Sequence, residues 1–257
     1  MDKNKIAKAA KTIRLISSNK KMFFLVHGYT GSPTDFNQLG NYLHKRFNAN
    51  VKIMRTVGHG TNISDLDNLN YIDFLEDVET ELKKDLAKGM KIVIGGLCLG
   101  SLIVFDLAAR YPVKGVFSSS LSYKYRFPVN FLRFLAPFMP QHIKKPITNY
   151  EKRVRAGSFN YPYVHLRGLK VVSQAKKRLK TLWKEVKAPC VFVHCDWDKM
   201  FHYKSDKIVI KKISSKRIKN VVFSSKREGE HNLFYSPYHQ KVYKIFGDFF
   251  EKNKIFD

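Results

Sequence analysis

The run KIVIGGLCLGSLIVFDLA, residues 91–108, constrains the fold more than any other stretch of the chain. Ile92, Val93 and Ile94 form an apolar run of strand length, and Leu102 to Ala109 form a helix that is apolar almost all round. Both must be buried. Only Gly96-Leu97-Cys98-Leu99-Gly100 lies between them, so the chain turns sharply, and a side chain at either flanking glycine would meet the neighbouring strand or helix. A buried strand feeding a buried helix through so short a turn belongs to a parallel sheet covered by helices.

The rest of the chain repeats that alternation. Apolar runs predict strands over 23–27, 51–55, 91–96, 113–118, 190–195 and 220–224, with segments of helical spacing between most of them. Over 71–88, Tyr71, Phe74, Leu75, Val78, Leu82 and Leu86 share one stripe, which predicts an amphipathic helix on the sheet. The alternation breaks from 121 to 189, where prolines, aromatics and basic residues dominate. The expected organisation is therefore an α/β core of residues 1–120 and 190–257, mostly parallel and doubly wound, with 121–189 inserted as a helical cap. Phe127, Phe131, Phe134, Leu135, Phe138 and Met139 in this insertion suit either its own small core or a wall for an acyl chain. Leu169, Val172, Leu179, Leu182, Trp183 and Val186 recur at helical spacing opposite a lysine-rich face.

Gly96 to Gly100 has the G-x-nucleophile-x-G spacing of an elbow that lifts a reactive side chain above the sheet, and Cys98 is at its tip. A buried structural cysteine at a helix start is the plainer alternative. Four further features fit the elbow. The stretch FFLVHGYTGS ends a strand in His27-Gly28, a loop able to supply the Tyr29 N–H beside that of Leu99 as an oxyanion hole. HCDWDKMF follows the strand at 190–195 and carries Asp198, with Asp196 as the other candidate acid. REGEHNLF presents His231 between the last strand and the last helix. His59, between Gly58 and Gly60, is a turn residue beside the pocket. Nucleophile, acid and histidine occur in the chain order that such a site needs.

These residues, with Asp198-Lys199-Met200 and Gly229-Glu230-His231, resemble the α/β-hydrolase superfamily, and within it the bacterial carboxylesterases and monoacylglycerol lipases. The resemblance runs from residue 23 to 252 and implies an α/β-hydrolase fold with Cys98 as nucleophile, His231 as base and Asp198 orienting it. It favours Asp198 over Asp196, because Lys199, Met200 and Phe201 follow it. His27, Gly28, His59, Phe131, Phe134 and Met200 are the expected substrate-binding residues. The implied activity is hydrolysis of carboxylic esters with a lipophilic acyl part. The cysteine departs from the serine of those enzymes and resembles the elbow of dienelactone hydrolases and polyhydroxyalkanoate synthases. Beside His231 and a helix N-terminus, Cys98 is expected to react as thiolate and pass through a thioester, which also admits an acyltransferase or thioesterase. A catalytically weak relative that binds a lipid or polyanion is the reading outside catalysis.

The formal charge of +26, from 47 basic against 21 acidic residues, makes the surface attractive to phosphates and anionic membranes. No finger, RNA-recognition or basic coiled-coil signature selects nucleic acid as a partner. In residues 1–20, Ile6, Ala9, Ala10, Ile13 and Ile16 alternate with lysines, predicting a basic amphipathic helix that lies on an anionic bilayer or packs on its own domain. The three cysteines lack zinc-site spacing, and no paired-histidine motif is present, so neither a metal nor a cofactor is expected. With no signal-peptide h-region, the expected location is the cytoplasm, with a peripheral place at the inner membrane face open.

Overall fold

The computed structural model describes residues 6–135, 138–145, 157–224 and 231–257, excepting the side chains of 132–134. Its strands are β1 (Ile13–Leu15), β2 (Lys21–Val26), β3 (Asn50–Met54), β4 (Lys91–Leu97), β5 (Gly115–Ser119), β6 (His142–Lys144), β7 (Tyr163–His165), β8 (Cys190–Cys195) and β9 (Ile218–Phe223). Seven of them form one sheet in the order β1-β3-β2-β4-β5-β8-β9, while β6 and β7 make a separate antiparallel ladder. Every pairing in the large sheet is parallel except that of β1 with β3. The helices are α1 (Leu39–Phe47), α2 (Tyr71–Ala87), α3 (Leu99–Arg110), α4 (Val129–Leu135), α5 (Arg167–Leu179), α6 (Lys204–Ile210) and α7 (His239–Lys252). The large sheet is thus mostly parallel with helices on both faces, as the alternation of strand and helix runs predicts.

Strand alternation sorts the core into two layers. Phe23 and Leu25 of β2 point to one, with Leu39 and Leu43 of α1 and Phe246 and Phe250 of α7. Met22, Phe24 and Val26 point to the other, with the apolar faces of α2, α3 and α5. Because successive strand residues face opposite sides, a parallel strand buried on both faces must be apolar at successive positions, and β2 is from Met22 to Val26, after the half-buried Lys21. The 71–88 stripe forms α2 as expected, its first turn fixed by the Asp73 carboxylate accepting the Asn70 N–H at 2.6 Å. In the 121–189 segment, Val171, Val172, Ala175 and Leu179 of α5 join the core beside α3. The helical spacing expected through Val186 is interrupted: α5 ends at Leu179, and Trp183–Glu185 is a 3-10 turn whose Trp183 ring meets Phe105 at 5.5 Å.

The N-terminal segment corrects the sequence reading. Instead of an amphipathic helix, Lys8–Ala10 is a single 3-10 turn and Ile13–Leu15 adds an antiparallel edge strand to the sheet. Ile13 pairs with Ile53 and Leu15 with Val51, so backbone pairing with β3 replaces helical spacing as the organising force. Residues 1–5 of the expected helix lie outside the described residues. Among the described residues no helix is long and apolar enough to cross a membrane.

Candidate active site

The turn at Cys98 follows from close packing. β4 runs to Leu97, Cys98 takes φ 56° and ψ −116°, and α3 begins at Leu99. A Cβ on Gly96 would lie 2.4 Å from the backbone of Gly100 and Ser101, and one on Gly100 would lie 2.0 Å from the Val26 carbonyl oxygen. No rotamer relieves a backbone clash, so both positions require glycine. The Cys98 N–H donates to Ser119 O at 3.0 Å, and the Ser101 hydroxyl donates to Gly96 O at 2.8 Å, tying the bend to β5 and to its own strand. Cys98 therefore stands at the carboxyl ends of β4 and β2, where the strand order reverses and open α/β sheets place their ligands.

Two other loops converge there. The loop after β8 carries Asp198, which is fully buried. One of its oxygens accepts the N–H groups of Met200 (2.7 Å) and Phe201 (3.1 Å), and the other accepts His231 Nδ1 at 2.7 Å. The Ser120 hydroxyl donates to His231 O, joining the histidine loop to the end of β5. Burial works against a charged His231 imidazole, but Asp198, to which it is hydrogen-bonded, and the neighbouring Cys98 raise it well above the ordinary histidine value. Asp198 shows the complementary response: burial opposes its ionisation, yet His231 and His194 hold it far below the usual carboxylate range. Asp196 is engaged elsewhere, accepting the Ser224 hydroxyl at 2.8 Å.

Behind Asp198 lies a pair that sequence reasoning missed. His194, with no exposed surface, places Nε2 3.3 Å from Asp198 Oδ2 and Nδ1 3.1 Å from Asp206 Oδ1. Burial disfavours its charge, but the two carboxylates outweigh that and push it up to about 9. The His194 ring thus stands between Asp206 and the carboxylate that meets His231. His194 is in β8 and Asp206 in the first turn of α6, and no spacing links them to His231.

The loop of Gly28, Tyr29, Thr30 and Gly31 approaches the sulfur from β2: an added Cβ on Gly28 would come within 3.9 Å of Cys98 Sγ. Its shape is set from below. The Thr30 N–H donates to His59 Nε2 at 3.1 Å, and His59 Nδ1 donates to Val57 O at 3.0 Å. His27 accepts the Thr56 N–H at 3.3 Å and donates from Nδ1 to Gly28 O at 2.8 Å. Both rings are buried, and burial lowers both pKa values, so they act as neutral hydrogen-bonding struts under the loop. Leu99, first residue of α3, has an N–H that its own helix cannot use.

Met200 is half-buried next to Asp198 through its N–H. Phe131 is 57% exposed on α4, and the side chain of Phe134 lies outside the described residues. Sequence reading also missed Asp35. Its Oδ1 accepts Asn160 Nδ2 (2.7 Å) and the Ser158 hydroxyl (3.3 Å), and its carbonyl accepts Asn232 Nδ2 (3.0 Å), so it joins the 121–189 segment to the residue after His231.

The family model described as serine aminopeptidase, S33, matches residues 17–236. A structure of the metagenome-derived lipolytic enzymes LipS and LipT superposes with a TM-score of 0.80 at 16% identity, covering 96% of this chain and 100% of the other. The monoacylglycerol lipase of Paleococcus ferrophilus gives 0.71 at 15% identity over 92% of this chain and 96% of its own. A soluble variant of Saccharomyces cerevisiae monoglyceride lipase, in complex with a substrate analog, gives 0.75 at 15% identity, covering 94% and 91%. At these identities the superpositions show the fold.

Proposed function

The chain belongs to the serine aminopeptidase S33 family of α/β-hydrolases, and from that membership we propose that it is an acyl hydrolase cleaving carboxylic esters with a lipophilic acyl group. Cys98 is the nucleophile in this reading, His231 the base, Asp198 its orienter, and the N–H groups of Tyr29 and Leu99 the oxyanion hole. The observation that carries it is the Asp198–His231 hydrogen bond of 2.7 Å, with the imidazole facing Cys98 on the strained tip of the β4–α3 turn.

In the first step the Cys98 proton passes to His231 and the sulfur adds to the ester carbonyl carbon. The resulting oxyanion is stabilised by the two N–H donors. Collapse breaks the bond to the alcohol, which takes the proton from His231 and leaves a thioester. Water, giving its proton to His231, then adds to the thioester, and the sulfur departs with that proton as free acid is released. A thioester passes its acyl group to amines, thiols and alcohols more readily than an oxygen ester does, so transfer to an acceptor is the second reading, and the Cys98 side chain is the observation that favours it.

Residues 121–189 are read as the insertion that covers this site. Phe127, Phe131, Leu135 and Phe138 lie exposed within it, an apolar surface suited to a lipophilic substrate or to the face of an anionic membrane. The decisive experiment is turnover of p-nitrophenyl butyrate and laurate, beside an amino-acid p-nitroanilide, by wild type and Cys98→Ala. We expect ester turnover to fall by at least 1000-fold in the variant with an unchanged circular dichroism spectrum. Turnover that survives the substitution removes the mechanism, and anilide cleavage without ester cleavage removes the substrate class. Product analysis with and without an added alcohol separates hydrolysis from transfer.

A further inference from the structure

The β6–β7 ladder carries a second cluster of ligating groups, distinct from the triad. His142 and His165 are directly opposed in the register of that ladder, and their rings lie 4.7 Å apart. Asp67, just beyond the 3-10 turn Ile63–Leu66, reaches between them. Its Oδ1 accepts His142 Nε2 at 2.7 Å and His165 Nε2 at 2.8 Å. The three ligating atoms all lie within 4.8 Å of one another. We propose that Asp67, His142 and His165 bind a divalent transition metal of the zinc type, which clamps the β6–β7 ladder to the loop after Leu66.

The donor chemistry selects the class of metal. Two imidazole nitrogens and one carboxylate oxygen suit zinc and its first-row neighbours, whereas calcium and magnesium prefer oxygen ligands. Tetrahedral ligands about 2.1 Å from zinc stand about 3.4 Å apart, so Asp67 has to withdraw by about 0.6 Å. Its side chain is 35% exposed and free to do so, while His165 is fully buried and held. On coordination each Nε2 proton moves to Nδ1, and at His165 this breaks the 3.3 Å contact from the Arg167 N–H to Nδ1. The partly exposed side of Asp67 and His142 leaves room for water as a fourth ligand.

The clamp bears on the catalytic loop. The Tyr29 ring packs edge-on against His165 at 5.8 Å and against His59 at 6.0 Å. Arg167 bonds the same core loop through Leu69 O (2.8 Å), Asn68 O (3.1 Å) and Asn70 Oδ1 (3.2 Å). Metal at the cluster would therefore fasten the 121–189 segment to the core on the Tyr29 side of the triad.

The test uses the full chain in a Cys98→Ser background, so that no sulfur ligand at the triad competes for metal. After EDTA treatment and removal of chelator, ZnCl2 is titrated calorimetrically, CoCl2 is followed by absorbance, and melting is recorded with and without Zn2+. The expected result is one equivalent of Zn2+ bound, a cobalt spectrum without a thiolate band, and a Zn2+-dependent rise in Tm. His142→Ala, at a partly exposed position, should weaken binding at least tenfold and abolish the rise, and Asp67→Ala should do the same. Absence of saturable binding, or one equivalent retained in both variants, overturns the proposal. None of these readouts depends on ester turnover.

Discussion

At φ 56° Cys98 occupies a backbone region that a residue with a side chain enters at a cost of about 1–3 kcal/mol. The bend persists because Ser119 O, Gly96 O and the two glycines over-determine it. The proton balance behind it has a measurable consequence at His194. A histidine whose folded pKa is raised stabilises the fold fully below its unfolded value near 6.5, and that contribution disappears as pH climbs through the folded value. With His194 at about 9, and His231 also raised, stability should fall between roughly pH 6.5 and 9. The His194 share is on the order of 3 kcal/mol. Urea denaturation of wild type and His194→Gln across that window checks this, and the variant should show the flatter profile. Equal slopes would mean that His194 is neutral in the folded protein. The positions of Cys98 and Asp198 just past β4 and β8, and of His231 in the segment between β9 and α7, were legible in the sequence because apolar runs mark those strands and that helix. The pairing of His194 with Asp206 was not, since only the docking of α6 against β8 brings them together.

Elements differ in how firmly their sequences specify them. The β4–turn–α3 unit was legible because apolar runs and glycines agree with the packing they must satisfy. Gly100→Ala should test how tightly: with its Cβ 2.0 Å from Val26 O and 2.7 Å from His27 O, backbone must move, and the loss should exceed about 3 kcal/mol or leave no folded protein. Gly89→Ala is the control. Its φ of +74° is unfavourable for alanine, but nothing lies within 4 Å, so the cost should be only about 1–2 kcal/mol. Comparable losses at the two sites, by thermal denaturation, would show that the elbow tolerates a side chain. By contrast, β1 was illegible: Ile13 fits a helical stripe with Ile6 and Ile16 as well as it fits a strand with Leu15, and only the free edge of β3 decides between them. The β6–β7 ladder was equally hidden, its two short strands being defined by each other.

Over the whole molecule the order β1-β3-β2-β4-β5-β8-β9 brings loops far apart in sequence to one edge, and the alternation of apolar runs made that layout readable. The charge was readable too, and it sets a global energetic term. With 47 basic side chains and 21 acidic ones, no arrangement of ion pairs neutralises the surface, and the excess of 26 positive charges repels itself most strongly in the compact state. Salt weakens that repulsion and also weakens attractive pairs such as Arg46 with Glu251 and Asp248. Exposed pairs contribute roughly 0–1 kcal/mol each, so for this composition relief of repulsion should win. Raising NaCl from 10 to 150 mM shortens the screening length from about 30 to 8 Å. Tm should rise by about 2–4 °C, the shift that ~1 kcal/mol produces in a chain of this size. A Tm that stays level or falls would mean that attractive pairs dominate despite the excess. Replacing NaCl by equimolar choline chloride should give the same rise, because screening depends on ionic strength, whereas binding of a particular cation would distinguish the two salts.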